Sequence, residues 1–299
     1  MIVGYVLAVI AMLSIGILGL LSKLADRYEC SPLNTALVLF GTSTVLMASY
    51  VRLVQGESLR PPTVVLSTGL FFGALAILAF WVFLYGLQFG KLTSSWIFMN
   101  LSAVVPAVLS AGVYHEPITL LKALALVLVV ASILLLWLDR KKEAAFQSAA
   151  QADSSYMQRG RWITAMLAAF FLNGICPFGL RVLAGKGLGL RYTALYLVYW
   201  YLAGFGFGLL GLLRARVRPS RANVLVGMVM AVASVGGQFC MGAAISRGVP
   251  GSVVYMLGMG ASMCVVVLGG VLFFRERVGV LAWSGIVVGL SAAIFLSFG

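Results

Sequence analysis

The chain has 299 residues, 62% of them hydrophobic and only 10% charged, with a mean hydropathy of +1.06 and a net charge of +13. A soluble domain carries about 25% charged residues, so the composition excludes an ordinary water-soluble globule and makes lipid the solvent for most of the surface. The basic excess sits in short connections between apolar runs, where topology signals belong, which argues against a nucleic-acid partner.

A spanning helix needs about 20 mainly apolar residues. Ten stretches meet that length, at 2–21, 33–53, 64–88, 93–113, 119–138, 162–183, 192–213, 222–245, 250–273 and 279–298. The first lacks a basic leader, since Lys23 follows the apolar run, and it reads as a retained helix and not a signal peptide. Most connections are short and carry turn or charge signals, such as Arg60-Pro61-Pro62. The stretch 139–161 is longer and more polar, with Lys141, Lys142, Gln147 and Gln151, and it divides the chain into a first unit (1–138), a linker (139–161) and a second unit (162–299). Cys30, Cys176, Cys240 and Cys264 form no C-x-x-C and no metal spacing, so packing is their expected role.

A shift of 158 residues superimposes the two units. Gly16 meets Gly174, Lys23 meets Arg181, Thr35-Ala36-Leu37 meets Thr193-Ala194-Leu195, and Arg60-Pro61 meets Arg218-Pro219. Gly69 meets Gly227, Gly90 meets Gly248, Ser94 meets Ser252 and Gly112 meets Gly270; a two-residue slip then aligns Glu116 with Glu276. Apolar matches are cheap in this composition, so the Gly, Pro and charged pairs carry the weight. Five spans per unit is an odd number, which requires the second unit to enter from the opposite side of the bilayer. The expected fold is therefore an all-α integral membrane protein of ten transmembrane helices in two inverted five-helix repeats, an arrangement suited to alternating access.

These residues also resemble a family. Two five-helix halves, with Val113-Tyr114-His115-Glu116-Pro117 and Phe273-Phe274-Arg275-Glu276-Arg277 before the last helix of each half, resemble the EamA-like branch of the drug/metabolite transporter superfamily. The stretch Gly90-Lys91-Leu92-Thr93-Ser94-Ser95 is similar to that family's fourth-helix start, whereas Ser14-Ile15-Gly16-Ile17 lacks the aromatic residue often found before the glycine. The resemblance implies transport of small organic solutes (amino acids, metabolites or drugs), often outward, in a bacterial inner membrane.

All eight acidic residues lie in connections or near helix ends. An acid in mid-membrane usually marks an ion or proton pathway, so its absence points away from cation–proton exchange and toward a neutral, zwitterionic or weakly anionic solute. The candidate substrate contacts are therefore polar and aromatic residues inside spans. Trp81, Tyr85 and Gln88 share one face of the third span, and Trp96 and Asn100 share one face of the fourth. Asn173, Tyr196, Tyr199, Gln238 and Tyr255 complete the set, interhelical hydrogen bonding being the alternative for each amide. Tyr192 and Tyr201 read as interfacial aromatics, Lys23 and Arg181 as cations snorkelling to headgroups, with binding of a carboxylate or phosphate as the alternative, and Glu116 and Glu276 as acids favoured at helix starts. Pro177, between Gly174 and Gly179, should interrupt the sixth span, and Pro106 is a weaker candidate for the same effect. Gly69-x-x-x-Gly73, Gly86-x-x-x-Gly90, Gly204-x-x-x-Gly208 and Gly285-x-x-x-Gly289 suit close helix packing.

Enzymatic chemistry finds no footing in the sequence: His115 is the single histidine, and neither H-E-x-x-H nor G-x-S-x-G occurs. No cofactor or metal is expected. A small-molecule substrate and membrane lipids are the expected partners of a monomer, with a lipid flippase or a non-transporting subunit as the alternative functions. Orientation stays divided. With a cytoplasmic N-terminus, seven Lys/Arg lie inside and fourteen outside, so charge favours external termini, whereas the family resemblance implies cytoplasmic ones.

Overall fold

Helices account for nearly all of the computed structural model, which describes residues 2–89, 101–115, 152–215, 219–274 and 279–298, with scattered positions in 95–99 and 119–138. They are α1 (Ile2–Arg27), α2 (Pro32–Ser49), α3 (Thr63–Leu87), α4 (Val104–Tyr114), α5 (Ala152–Ile175) and α6 (Phe178–Gly185). They continue as α7 (Gly189–Ala215), α8 (Arg221–Ser246), α9 (Gly251–Tyr255), α10 (Ser262–Phe274) and α11 (Val280–Phe298). No strand occurs among the described residues. Six helices there are long and apolar enough to cross a membrane: Ile2–Ala25, Pro32–Val54, Thr63–Leu87, Gly160–Gly185, Gly189–Gly211 and Arg221–Ser246. They coincide with six of the ten expected spans. The ninth is divided between α9 and α10, the tenth is α11, and the fourth and fifth lie partly outside the described residues. Most of the expected linker, 139–151, also lies outside them, and α5 begins within its last part, at Ala152.

Helix ends are fixed by local chemistry that also joins the halves. Pro32 opens α2, where a missing N–H costs nothing. Ser220 Oγ accepts from the Asn223 N–H at 3.2 Å while Asn223 Oδ1 accepts from the Ser220 N–H at 3.1 Å, a capping box at the start of α8. The same Asn223 amide donates to Ser31 O at 3.1 Å and Thr35 Oγ1 at 2.9 Å, so one cap ties α8 to the start of α2. On the connection before α3, Tyr199 Oη donates to Leu59 O at 2.6 Å and Arg191 pairs with Glu57 at 2.8 Å, both from α7.

Two regions depart from regular helix. Pro177 has no N–H, and the chain turns through Cys176-Pro177 between α5 and α6, closed by Gly179 N–H to Cys176 O (3.4 Å) and Leu180 N–H to Pro177 O (3.0 Å). Pro106 makes no such break. It occupies the first turn of α4, where the irregularity is Ser102-Ala103 just before it. In the second half the corresponding irregularity is a π turn, Met256–Gly260, closed by Ala261 N–H to Met256 O at 2.8 Å.

The two halves are joined by contacts that recur when the halves are exchanged. The most extensive packing is α1 on α8, matched by α3 on α5; α3 on α7 is matched by α2 on α8; and α2 lies on α7. The correspondence reaches single residues. A Cβ at Gly16 would strike Val265, and a Cβ at Gly174 would strike Val105 at 2.5 Å. Ser102 Oγ donates to Met99 O, and Ser262 Oγ donates to Met259 O. Gly16 and Gly174 differ by 158, whereas Val105 and Val265, Met99 and Met259, and Ser102 and Ser262 each differ by 160. The two-residue slip therefore falls earlier than the alignment of Gly112 with Gly270 put it, and the π turn at 256–260 takes up the extra residues. Gly16→Ala and Gly174→Ala should each lower stability by about 1–3 kcal/mol through overpacking. Gly112→Ala, with nothing among the described residues within 4 Å of its added methyl, should not lower the thermal midpoint of the detergent-solubilised protein.

Candidate functional site

Inside this bundle lies a cavity of about 250 Å³. Its walls come from both halves: Ile15, Leu18 and Ser22 of α1, Thr35, Leu39 and Phe40 of α2, and Ala76, Phe80, Phe83 and Leu87 of α3. Opposite them stand Asn173, Cys176 and Pro177 at the α5–α6 break, Trp200 of α7, and Met230, Ser234 and Gln238 of α8. Met99 and Met259 close it at the two helix irregularities. The space runs from mid-bundle toward the end where α1 and α3 finish and α2 begins, with exposed Pro32 at its rim.

The position of the cavity follows from glycine packing. A Cβ at Gly69 would lie 3.1 Å from Tyr196 O, and one at Gly73 would strike Trp200 O, so α3 and α7 touch backbone to backbone there. The same stripe of α3 continues at steps of three and four through Ala76, Phe80, Phe83 and Leu87. Beyond the glycines this stripe becomes the cavity wall, while the neighbouring face of α3 stays on α7 through Ile77 near Gly208 and Trp81 near Gly211.

The wall is apolar and uncharged among the described residues. Most of its polar groups are already engaged. Ser22 Oγ donates to Leu18 O (3.0 Å), Thr35 Oγ1 to Ser31 O (3.0 Å) and the Cys176 thiol to Leu172 O (2.9 Å). Ser234 Oγ bonds Tyr201 Oη at 2.9 Å. Asn173 Nδ2 donates to Ser102 Oγ at 2.8 Å and to Met99 O at 3.4 Å. Because the Ser102 proton is committed to Met99 O, its oxygen accepts only, which orients the amide and turns Asn173 Oδ1 away from that bond. Gln238 makes no hydrogen bond among the described residues.

Of the residues expected to contact substrate, Asn173 and Gln238 line the cavity. Trp81, Tyr85 and Gln88 do not. Tyr85 and Gln88 are exposed, Tyr85 packing edge-on against Phe89 (centroids 5.2 Å apart), and Trp81 packs near Gly211 of α7. These three lie off the glycine stripe, on another face of α3. Tyr196 is buried against Gly179 and Phe72 with its hydroxyl unpaired, Tyr199 holds the connection before α3, and Tyr255 Oη donates to Pro177 O at 3.0 Å. None of the three lines the cavity. Trp96 and Asn100 lie outside the described residues, as do Glu116 and Glu276.

Two other expectations change. Lys23 is 6% exposed, and Arg181 stacks over the Tyr114 ring at 4.0 Å while its Nε donates to Ser110 Oγ at 3.2 Å, so neither snorkels. Tyr201 is fully buried on Ser234 and is not interfacial. Sequence reasoning missed Phe40, Phe80, Phe83 and the methionines of the wall. The signal was present in Gly69-x-x-x-Gly73, whose stripe leads into the cavity.

The apolar spanning helices and the uncharged internal cavity define a multi-pass helical membrane protein. Residues 2–138 match the model of the EamA-like transporter family. That match points to a membrane transporter of the drug/metabolite kind. No curated protein sequence matches the chain. A solved crystal structure is similar to it with a TM-score of 0.67 at 17% identity, covering 100% of this chain and 98% of its own, a likeness of fold alone.

The Tyr255 hydroxyl supports the carbonyl at the helix break. Tyr255→Phe should cost about 1 kcal/mol and speed N-ethylmaleimide alkylation of Cys176 in a variant keeping that thiol alone. Unchanged reactivity would show that Pro177 O does not hold the break.

Proposed function

We propose that the protein is a secondary transporter that moves a small, uncharged organic solute by alternating access through the cavity. The observation that carries this reading is one of unequal ends. Ala25, Ala36, Leu39, Phe40, Phe83 and Leu87 line the cavity. Their counterparts 158 residues on, Leu183, Ala194, Leu197, Val198, Met241 and Ile245, are packed in the core and do not line it. One half is spread around a space, while its counterpart is shut. Exchanging the two conformations would close the first end and open the second, which is the working principle of an inverted repeat. The contacts that recur on exchange of the halves support the duplication and its inverted arrangement.

The chemistry of the walls supports the substrate class. A carboxylate or ammonium in this cavity would lose its hydration without a charged partner among the described lining residues. An uncharged solute instead gains from contact with Phe40, Phe80, Phe83 and Trp200. This narrows the neutral, zwitterionic or weakly anionic range to its neutral member. The family resemblance supports export as the direction.

Two measurements test the proposal. In proteoliposomes, a panel of labelled neutral metabolites and drug-like compounds should include a solute that crosses in a protein-dependent, saturable way. Lipid scrambling without solute flux would assign a flippase instead. Separately, Leu39→Cys should react with a small methanethiosulfonate reagent while Leu197→Cys is protected, and conditions that drive turnover should raise the Leu197→Cys rate as the Leu39→Cys rate falls. Rates that rise and fall together would exclude alternating access.

A further inference from the structure

Two amides reach the cavity, Asn173 and Gln238, and they stand on different pairs of helices. Gln238 belongs to α8, which packs on α1; a Cβ at the neighbouring Gly237 would strike Ile15, so α8 and α1 bring Gln238 and Ile15 to the cavity side by side. Asn173 belongs to α5, which packs on α3, whose Phe80 lines the same space. Among the described residues neither α1 nor α8 packs extensively on α3 or α5; the connection between the pairs runs through α2 and α7. The four positions are related by the duplication, since Asn173 lies 158 residues after Ile15 and Gln238 lies 158 after Phe80. Each pair of helices therefore offers the cavity one hydrocarbon side chain and one amide.

From this we infer that the cavity takes an uncharged solute with two separated hydrogen-bonding groups, one for each helix pair, joined by an apolar body. The inference rests on the cavity being the substrate site of the transporter and goes beyond it by naming the recognition chemistry. Hydrogen-bond accounting sets what each end must carry. Asn173 spends its Nδ2 on Ser102 Oγ and Met99 O, which leaves Oδ1, an acceptor, without a partner among the described residues. The solute end beside it must bring an N–H or O–H. Gln238 makes no hydrogen bond among the described residues, so its amide serves a donor or an acceptor at the other end. Other polar groups of the wall are already held: Ser22, Thr35 and Cys176 donate to backbone carbonyls, and Ser234 bonds Tyr201. Between the pairs, Phe40 of α2 and Trp200 of α7 line the cavity with ring centroids 5.7 Å apart, a surface for the apolar body. A solute that satisfies one amide alone leaves the other unpaired in an apolar surround, and that loss is what discriminates.

The probes are adipamide, suberamide and sebacamide, terminal diamides of increasing length, each beside the monoamide in which an isopropyl group replaces one carboxamide. They are titrated calorimetrically into the full chain in nanodiscs of one composition, with empty nanodiscs subtracted. At least one diamide should bind at least about tenfold more tightly than its monoamide, the loss expected when one amide goes unpaired. Gln238→Leu and Asn173→Leu should each reduce that preference to less than about twofold, since a single amide then remains for either probe. Asn173→Leu also removes the bonds to Ser102 and Met99, so the Asn173 end is tested a second way in the unaltered protein. Dimethylating the nitrogen at one end of the preferred diamide should keep the preference, because Gln238 can donate to that carbonyl. Dimethylating both ends should abolish it, because the Asn173 oxygen only accepts. No diamide preferred over its monoamide, an absence of binding, a preference that survives Gln238→Leu, or one that survives dimethylation at both ends would overturn the inference. Binding is read without flux, so a diamide preference in a protein that moves nothing would defeat the transport reading alone. Saturable flux of neutral solutes without any diamide preference would defeat this inference alone.

Discussion

In hydrocarbon, apolar side chains gain little by meeting one another, because lipid is as good a neighbour as leucine. Cohesion must therefore come from close backbone approach, from dispersion between well-fitted surfaces and from a few hydrogen bonds. Gly69 and Gly73 on α7, and Gly16 and Gly174 on their valines, supply that approach. The main joints run between the halves: α1 on α8, α3 on α5 and α2 on α7. Neither half is built to hold together mainly through its own contacts, so the halves interlock, and the space left where they diverge is shared between them.

The same constraint explains why irregular backbone occurs where it does. A helix in lipid that loses a hydrogen bond must replace it from within the protein. At Cys176-Pro177 the replacement comes from short-range turns and from the Tyr255 hydroxyl. At the two related serines it comes from hydroxyls turned onto Met99 O and Met259 O. These sites are all at or beside the cavity, which relaxes the packing demand that a regular helix would otherwise meet. The π turn at Met256–Gly260 shows how a duplicated unit absorbs extra residues without losing the register of the helix after it, since Val265 still meets Gly16 as Val105 meets Gly174.

Positions 158 residues apart line the cavity in both halves, and their side chains differ in polarity. Phe80 and Gln238 are the clearest instance: related positions on related helices, one offering only surface and the other a full amide.

Much of the architecture was legible in the chain itself. Long apolar runs, the offset between Gly, Pro and charged pairs, and the break at Pro177 each depend on local or periodic physics: the cost of a polar group in lipid and the missing N–H of proline. The choice of helix face was not legible in the same way. Trp81, Tyr85 and Gln88 form as regular a stripe as Ala76, Phe80 and Phe83, and only the approach of α7 to Gly69 and Gly73 decides which one faces inward. The fates of Lys23, Arg181 and Tyr201 were likewise set by neighbours distant in sequence, which bury them or give them partners where a lone helix would have sent them to the interface. That this is a helical membrane protein, how its spans are ordered and where one of them breaks are all written in the linear chain. Which residues line the cavity, and which half makes it polar, came only from the packing of the helices, because in a solvent as uniform as lipid a helix has no preferred face until another helix is packed against it.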